Sequence, residues 1–494
     1  MIHKKPFEQP ISQEVSHVTQ TLEDAGFEAY LIGGCVRDML INRKPKDWDI
    51  TTNATPEQII GLFEKTFYEN DYGTVGVVNE ETEHEELKVI EVTPYRLESE
   101  YDDNRRPNSV KWSDNLESDL QRRDFAMNAI AYSVSHKTLV DLYNGQKDIK
   151  DKMIRTVGDP YDRFNEDALR ILRAIRLAAE LGFTINTQTQ EAIKKTAHTL
   201  KNIATERIRD EFIRIIESKE PMRGLIMAHE LGVLQYVAPE IEQGIGVEQN
   251  GDHIYTVWEH NLRALQHAAN RDFALDVRIA ALFHDVSKPE TRRSLKEKNK
   301  YTFYGHDVVG SRVTRETMQR LKFPKKTTLE VSNLVRYHMF FSDIDKITLS
   351  AVRRIVRNVG PENVWKLMDV RACDRIGMGC PKEAPYRLRK YESMIEEAMR
   401  APVSVQMLKI DGAKIMEVTQ ETPGPKIGHI LHALFEETAD NPENNNEMFL
   451  VKRAQELTVL PKNELEELST KGKEKRGIKE EEELFEIRKR HHVK

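Results

Sequence analysis

The feature that most constrains this chain is a change of apolar period partway along it. Up to Tyr143, stretches such as EAYLIGG, DWDITTN, YGTVGVVN and LKVIEVTPYR are short, turn-bounded and in places alternate apolar with polar residues, as strands do. From Asp167 to the mid-400s almost every segment repeats its apolar residues at helical spacing, beginning with EDALRILRAIRLAAELGF. This pattern predicts an α+β protein: a head with a small mixed sheet, then an elongated all-α body. At 494 residues the chain divides into several domains. We expect a head at 1–150, a helical neck at 151–225, a helical body at 226–400, a further helical region at 401–460 and a charged tail at 461–494.

Local signals fill in the outline. Helical spacing runs from Glu14 to Gly26, and Thr55 stands as N-cap before Pro56 in PEQIIGLFEKTF. Between Tyr95 and Leu116 a charged segment with little core-forming content reads as a long functional loop. The tail, rich in Lys and Glu, reads as a solvated helix or a disordered extension. No apolar run reaches membrane-spanning length, and the first residues lack a secretory apolar stretch, so we expect a cytoplasmic protein. Cys35, Cys373 and Cys380 form no CxxC pair and read as reduced thiols. A net charge of −7 argues only weakly against a nucleic-acid partner, because a local basic track is enough for RNA.

Chemistry concentrates first in the head. Asp47 and Asp49 stand two apart in DWDI, and on a strand such positions share one face with Cα atoms roughly 6.5–7 Å apart. Two carboxylates there repel unless a cation lies between them, and hard oxygen donors suit Mg²⁺. A pair of such ions can activate a 3′-hydroxyl and steady a leaving pyrophosphate. Glu91, on a nearby predicted strand, offers a third carboxylate. Gly33 and Gly34 precede Arg37 and Asp38 at a helix start, where free backbone N–H groups can hold phosphate oxygens. Each piece is common alone; the combination is not.

The run LIGGCVRDMLINRKPKDWDI resembles the signature of the class II tRNA nucleotidyltransferase and bacterial poly(A) polymerase family. That resemblance implies a nucleotidyltransferase head in which Asp47 and Asp49 carry the catalytic metals. It continues through DLQRRDFAMNAIAY, where Ala126 replaces the family's usual Thr. There it implies that Arg122, Arg123, Asp124 and Asn128 hold the triphosphate and sugar of the incoming nucleotide, a task suited to arginine forks.

RFNEDALRILRAIR matches the family's EDxxR motif. If the segment is helical, Asp167 and Arg170 share a face and Glu166 braces Arg170. A carboxylate only accepts and a guanidinium only donates. Cytosine and adenine each present an amino donor beside a ring-nitrogen acceptor, whereas uracil and guanine present the reverse, so the pair can select C and A. Arg163, Arg173, Arg176, Arg207 and Arg209 add charge that can face nucleotide or tRNA phosphate; we count Arg173 and Arg176 with the nucleotide site.

Three reactions fit the family: CCA addition, A addition alone, or poly(A) synthesis. YGTVGVVN stands where poly(A) polymerases typically carry an arginine-rich GRRF-type strand, and EYDDNRRPNSV resembles the flexible loop of A-incorporating enzymes. The leading expectation is CCA addition to tRNA from CTP and ATP, with no membrane or protein partner implied. IDGAKIMEVTQETPGPKIGHILHAL resembles the family's distal helical region.

The body carries a second set: His260, His284 and Asp285, His306, His338, and Asp374. Imidazole with carboxylate suits Mn²⁺, Ni²⁺ or another transition metal, and such an ion can activate water against a phosphate ester. The order resembles the HD phosphohydrolase superfamily. It implies that His260, His284, Asp285 and Asp374 hold one metal, with His306 and His338 serving a second metal or a phosphate. Two rival readings make the HD body the enzyme with an inert RNA-holding head, or make the whole chain a non-catalytic RNA-binding protein.

Overall fold

The computed structural model describes the chain apart from residues 1–6, 9, 69–72, 99–100, 103–105, 108–109, 114, 251–253, 296–299, 340–346, 401–404, 406–407, 441 and 494. The head is built on a seven-stranded sheet in the order Thr138–Val140, Ala131–Ser133, Ala29–Ile32, Asp49–Thr52, Val89–Pro94, Val75–Val78, Thr66–Tyr68. All neighbours are antiparallel except Asp49–Thr52 and Val89–Pro94, which run parallel with Asp49 level with Glu91.

Burial decides which way the acidic residues point. Ile50, Ile90 and Val92 lie in the core with Val15, Val18 and Leu22 of the helix Gln13–Asp24 and Ile59 of the helix Pro56–Leu62. Each such side chain contributes about 1.5–3 kcal/mol by leaving water. Successive strand residues face opposite ways, so Asp49 and Glu91 are left on the other face. A slip of one residue would bury Asp49 in place of Ile50; the core therefore fixes the carboxylates.

Thr55 caps Pro56–Leu62 through a capping box with Gln58, as the sequence predicts. That helix stops sooner than its pattern indicates: Phe63 is extended, and Thr66–Tyr68, β-branched and aromatic, forms the edge strand. The Tyr95–Leu116 segment is not a loop throughout. Arg96–Glu98 pairs with Val110–Trp112, and Tyr101–Asp102 with Arg106–Pro107, while parts of this expected loop lie outside the described residues.

Two compact units make up the chain: Met1–His338 with Asp369–Pro381, and Met339–Met368 with Lys382–Lys494. In the first, the head is followed by helices that include Pro160–Glu166, Leu169–Leu181, Thr205–Glu217, Val257–Asn270, Leu275–Phe283, His306–Arg320 and Lys325–Tyr337. The helical period misses a small hairpin, Arg293–Leu295 with Lys300–Thr302. Arg278 closes one helix end: its Nη1 donates to the carbonyls of Ile216, Glu217 and Ser218 at 2.9–3.3 Å, satisfying oxygens that a helix terminus leaves unpaired.

The second unit has its own core of Ile415, Ile430, Leu434, Leu450, Ala454 and Leu457. Its charged tail is a helix, Lys462–Arg490, packed on Pro425–Asp440. Gly472 permits this contact, because a Cβ there would lie 2.0 Å from the carbonyl oxygen of His432. Arg400 pairs with Glu480 and Glu483 at 3.1 and 2.8 Å. Of the two states the sequence allows for the tail, the structure adopts the helix.

Candidate active sites

The head site gathers on the face of the sheet turned away from that core. The strand begins at Asp49, so Asp47 lies in the preceding bend and not on the strand as its spacing predicts; ladder bonding nevertheless starts at Trp48, whose carbonyl accepts from Glu91 N at 3.0 Å. Both carboxylates face the glycine turn. Gly33 has φ +81°, and a Cβ on it would lie 2.8 Å from Arg123 Nη1 and 3.2 Å from Asp49 Oδ2. A Cβ on Gly34 would lie 3.8 Å from Asp47 Oδ1. Only glycine fits the first position. Burial, and next the neighbouring Asp47, push the Asp49 carboxyl up to about 6 against the pull of Arg123, Arg173 and Arg37. A pair of oxygen ligands strained in this way fits a divalent cation.

An arginine–carboxylate network surrounds the pair. Arg37 donates to Asp38 Oδ1 from Nε and Nη2 at 2.9 and 2.7 Å, and from Nη1 to Asn128 Oδ1 at 2.8 Å. Asn128 Nδ2 donates to Asp124 Oδ1 at 3.2 Å, and Arg173 Nε to Asp124 Oδ2 at 2.8 Å. Burial opposes ionisation of Asp124, yet Arg173 and Arg170 hold its carboxyl well below the usual range. Arg122 Nε donates to Asp119 Oδ1 at 2.9 Å, and Arg123 Nη2 lies 3.5 Å from Asp119 Oδ2. Asp119, wholly buried, is a positioning residue the sequence reading missed; its spacing of three and four before the two arginines was the available signal.

Asp167 and Arg170 do not share a helix. The helix Pro160–Glu166 ends at Asp167, which is extended at φ −140°, and the next begins at Leu169. Asp167 Oδ1 accepts from Leu169 N at 3.0 Å, competing with continued helix as short carboxylates do. Its Oδ2 accepts from Arg207 Nη2 at 2.8 Å. Glu166 does brace Arg170, at 2.6 Å, and also pairs with Arg163. Arg170 Nη2 reaches the Arg122 carbonyl at 3.0 Å, which ties this helix to the head. Arg176 lines the same cleft as Arg37 and Asp47, bonded to Glu211 and Glu180 at 2.7 and 3.0 Å.

The second site is buried in the helices. His260, His284, Asp285 and Asp374 each present a ligand atom within 4.8 Å of the others, and Asp285, His306 and His338 form an adjoining group. His260 Nε2 lies 2.8 Å from His284 Nε2, 3.1 Å from Asp285 Oδ2 and 3.3 Å from Asp374 Oδ1. Backbone carbonyls of Ala281, Phe303 and Val335 sit 2.7–2.8 Å from Nδ1 of His284, His306 and His338. Those contacts orient Nε2 of each ring inward. Two imidazole nitrogens facing each other at 2.8 Å need a shared proton or cation. Burial pushes the His284 imidazole down, but Asp285 and Asp374 override it and hold it up at about 10, so this spot draws positive charge. The donor set fits a transition metal. Lys288 on Asp285 at 2.5 Å and Arg371 on Asp374 are supporting charges absent from the sequence reading, each three residues from its partner.

An acidic pair at a glycine turn within an arginine network, ahead of a histidine–aspartate cluster, defines a nucleotidyltransferase-type head on an HD-type body. Comparisons agree. A family model described as "Poly A polymerase head domain" matches residues 29–155, one described as "Probable RNA and SrmB- binding site of polymerase A" matches 182–245, and "HD domain" matches 251–378. A CCA-adding enzyme of Lactobacillus helveticus is 48% identical over 40% of this chain and 48% of its own. The chain thus spans about half the length of this relative and of others like it. An A-adding tRNA nucleotidyltransferase of Deinococcus radiodurans is 32% identical over 83% of this chain and 91% of its own. The crystal structure of Bacillus stearothermophilus CCA-adding enzyme in complex with CTP superposes with TM-score 0.60 at 26% identity, covering 92% of this chain and 98% of that one. The chain belongs to the tRNA nucleotidyltransferase and poly(A) polymerase family, and carries an HD domain. Among the described residues no helix is long and apolar enough to cross a membrane.

Proposed function

We propose that this chain completes the CCA end of tRNA in the cytoplasm, adding C and A from CTP and ATP without a nucleic-acid template. The observation that carries the reading is the approach of Asp47 and Asp49 to the Gly33–Gly34 turn, with Glu91 level with Asp49 on the parallel strand. Asp47, Asp49 and Glu91 would hold magnesium, which when bound would supply charge neutralisation for the attacking 3′ oxygen and the leaving pyrophosphate. Gly33 leaves room for close approach, and Arg123 beside it donates to phosphate oxygens. Arg122 stands behind it on the shared Asp119. Asp124 and Asn128 hold Arg173 and Arg37 in place, and Arg37 in turn holds Asp38.

Asp167 and Arg170 choose the base. Asp167 exchanges Arg207 for the exocyclic amino group of C or A, while Arg170, held by Glu166, donates to the ring nitrogen. Uracil and guanine would leave both groups mismatched. The strand Val75–Val78 stands where poly(A) polymerases carry their arginine-rich strand, which favours a tRNA substrate over tail synthesis.

The experiment supplies tRNAs ending at the discriminator base, at C and at CC with Mg²⁺ and CTP, ATP or both, and sizes the products. Completion of all three supports CCA addition. Extension only from CC assigns A addition alone, and long ladders assign poly(A) synthesis. For the body, the facing His260 and His284 nitrogens favour a second activity, metal-dependent hydrolysis of a phosphate ester. Hydrolysis of 2′,3′-cyclic AMP with Ni²⁺ or Mn²⁺ tests it, and equal turnover by His284→Ala/Asp285→Ala removes it.

A further inference from the structure

A cleft of about 750 Å³ opens beside Asp47, walled by the head on one side and by the helix ends around residues 214–219 and 269–278 on the other. Its lining is rich in cations, but they fall into two groups. Arg37, Arg176 and Arg278 are consumed: by Asp38 and Asn128, by Glu180 and Glu211, and by Asp272 and a row of carbonyls. Arg43, Lys46, Arg214 and Lys219 have no side-chain partner among the described residues. Lys46, Arg214 and Lys219 are exposed and Arg43 is half-buried. The acidic lining divides in the same way. Asp38, Glu180 and Asp272 are already paired, which leaves Asp47 and Glu217. Four unpaired cations therefore face two unpaired carboxylates, one of which is in the acidic pair.

Unneutralised like charges converging on a concave surface repel one another, and a bound polyanion relieves that repulsion. The anion so held lies beside the acidic pair, because Asp47 is part of the same lining. Resting on the reading of the head as a tRNA-extending site, we propose that Arg43, Lys46, Arg214 and Lys219 bind the sugar–phosphate backbone of the tRNA 3′ strand and deliver its terminal hydroxyl to the acidic pair. Arg122, Arg123 and Arg173 lie outside this lining, and the Arg37 and Arg176 within it are already bonded to Asp38, Asn128, Glu180 and Glu211, so the four unpaired cations are a group apart from the arginines engaged in the head network. Arg214 and Lys219 stand at the end of the helix Thr205–Glu217 that Arg278 clamps, which gives this edge of the track a fixed footing.

The test is fluorescence anisotropy of labelled tRNA lacking CCA, at several salt concentrations and without nucleotide, with the full chain and with Arg214→Gln/Lys219→Gln and Arg43→Gln/Lys46→Gln. Each double variant is expected to weaken binding on the order of tenfold and to lower the slope of log affinity against log salt by about 1.5. The charge-preserving Arg214→Lys/Lys219→Arg is expected to restore most of the loss. In extension assays KM for tRNA should rise while KM for CTP stays put. Unaltered tRNA affinity and salt slope in both variants would overturn the proposal. So would a rise in KM for CTP alone, since that assigns the cations to the triphosphate or pyrophosphate. Binding is read without catalysis, so a wild-type chain that binds tRNA but extends none would defeat the functional reading and leave the track standing.

Discussion

The two acidic sites of this protein, on the proposed reading, would hold a cation against phosphate in opposite ways. In the head, Asp47 is exposed and lines an open cleft, while Asp49 is half-buried among arginines. In the body, His260 and His284 are fully buried and Asp285 and Asp374 nearly so, with three imidazoles pinned through Nδ1. Oxygen donors open to water suit an ion that arrives with a nucleotide and exchanges readily; a closed nitrogen–oxygen cage suits one that stays. On the proposed reading the difference teaches where specificity would reside: in the head with the surrounding arginines and Asp167, in the body with the cage itself.

The strongest test of that contrast removes one head carboxylate. Asp49→Ala should lower CTP incorporation on the order of 10³-fold or more, the loss expected when several kcal/mol of charge stabilisation go. Bound metal measured by elemental analysis in the washed protein should not change, since the retained ion belongs to the body. His284→Ala/Asp285→Ala should do the reverse, removing that retained metal and cutting cyclic-phosphate hydrolysis by more than about 100-fold. Extension by that variant should remain within about twofold of wild type, because distant sites act independently. Asp167→Ala should narrow the preference for CTP and ATP over UTP and GTP by about 100-fold in single-turnover assays, while overall transfer falls less. Unchanged nucleotide choice would discard the Asp167–Arg170 reading.

A smaller effect concerns the network that steadies the head. Asp124→Asn should cost about 1–3 kcal/mol near neutral pH, discounted for the partial exposure of Arg173. Because the folded protein holds the Asp124 carboxyl below its ordinary 3.8, its contribution is full above that value and fades as pH falls beneath it. Denaturant unfolding should therefore show the variant and wild type converging in acid. A gap independent of pH would mean packing, not charge, supports Arg173.

Much of this was legible in the chain. The alternation of Ile50 and Thr52 against Ile90 and Val92 fixed the face that Asp49 and Glu91 share, because a half-buried strand leaves no other choice. The HD cluster was legible in the order of its histidines and aspartates, of which His284, Asp285 and His338 fall just past the ends of the helices Leu275–Phe283 and Lys325–Tyr337. The helix break at Asp167 was not. NEDALR contains no glycine or proline, and what ends the helix is a side-chain cap on Leu169 together with Arg207, forty residues away. The four unpaired cations of the cleft were hidden for a similar reason: they come from two distant segments, and only packing shows which arginines are already satisfied. The tail's composition allowed helix or disorder, and the contact of Gly472 with His432 was invisible to local propensity.

The most direct test of the central claim is anomalous diffraction from crystals of the full chain soaked with Mn²⁺ and CTP. The account predicts a peak between Asp47 and Asp49, present only with nucleotide, and a second within the His260–His284–Asp285–Asp374 cage with or without it. A nucleotide-loaded crystal with no ion at the aspartate pair would contradict it.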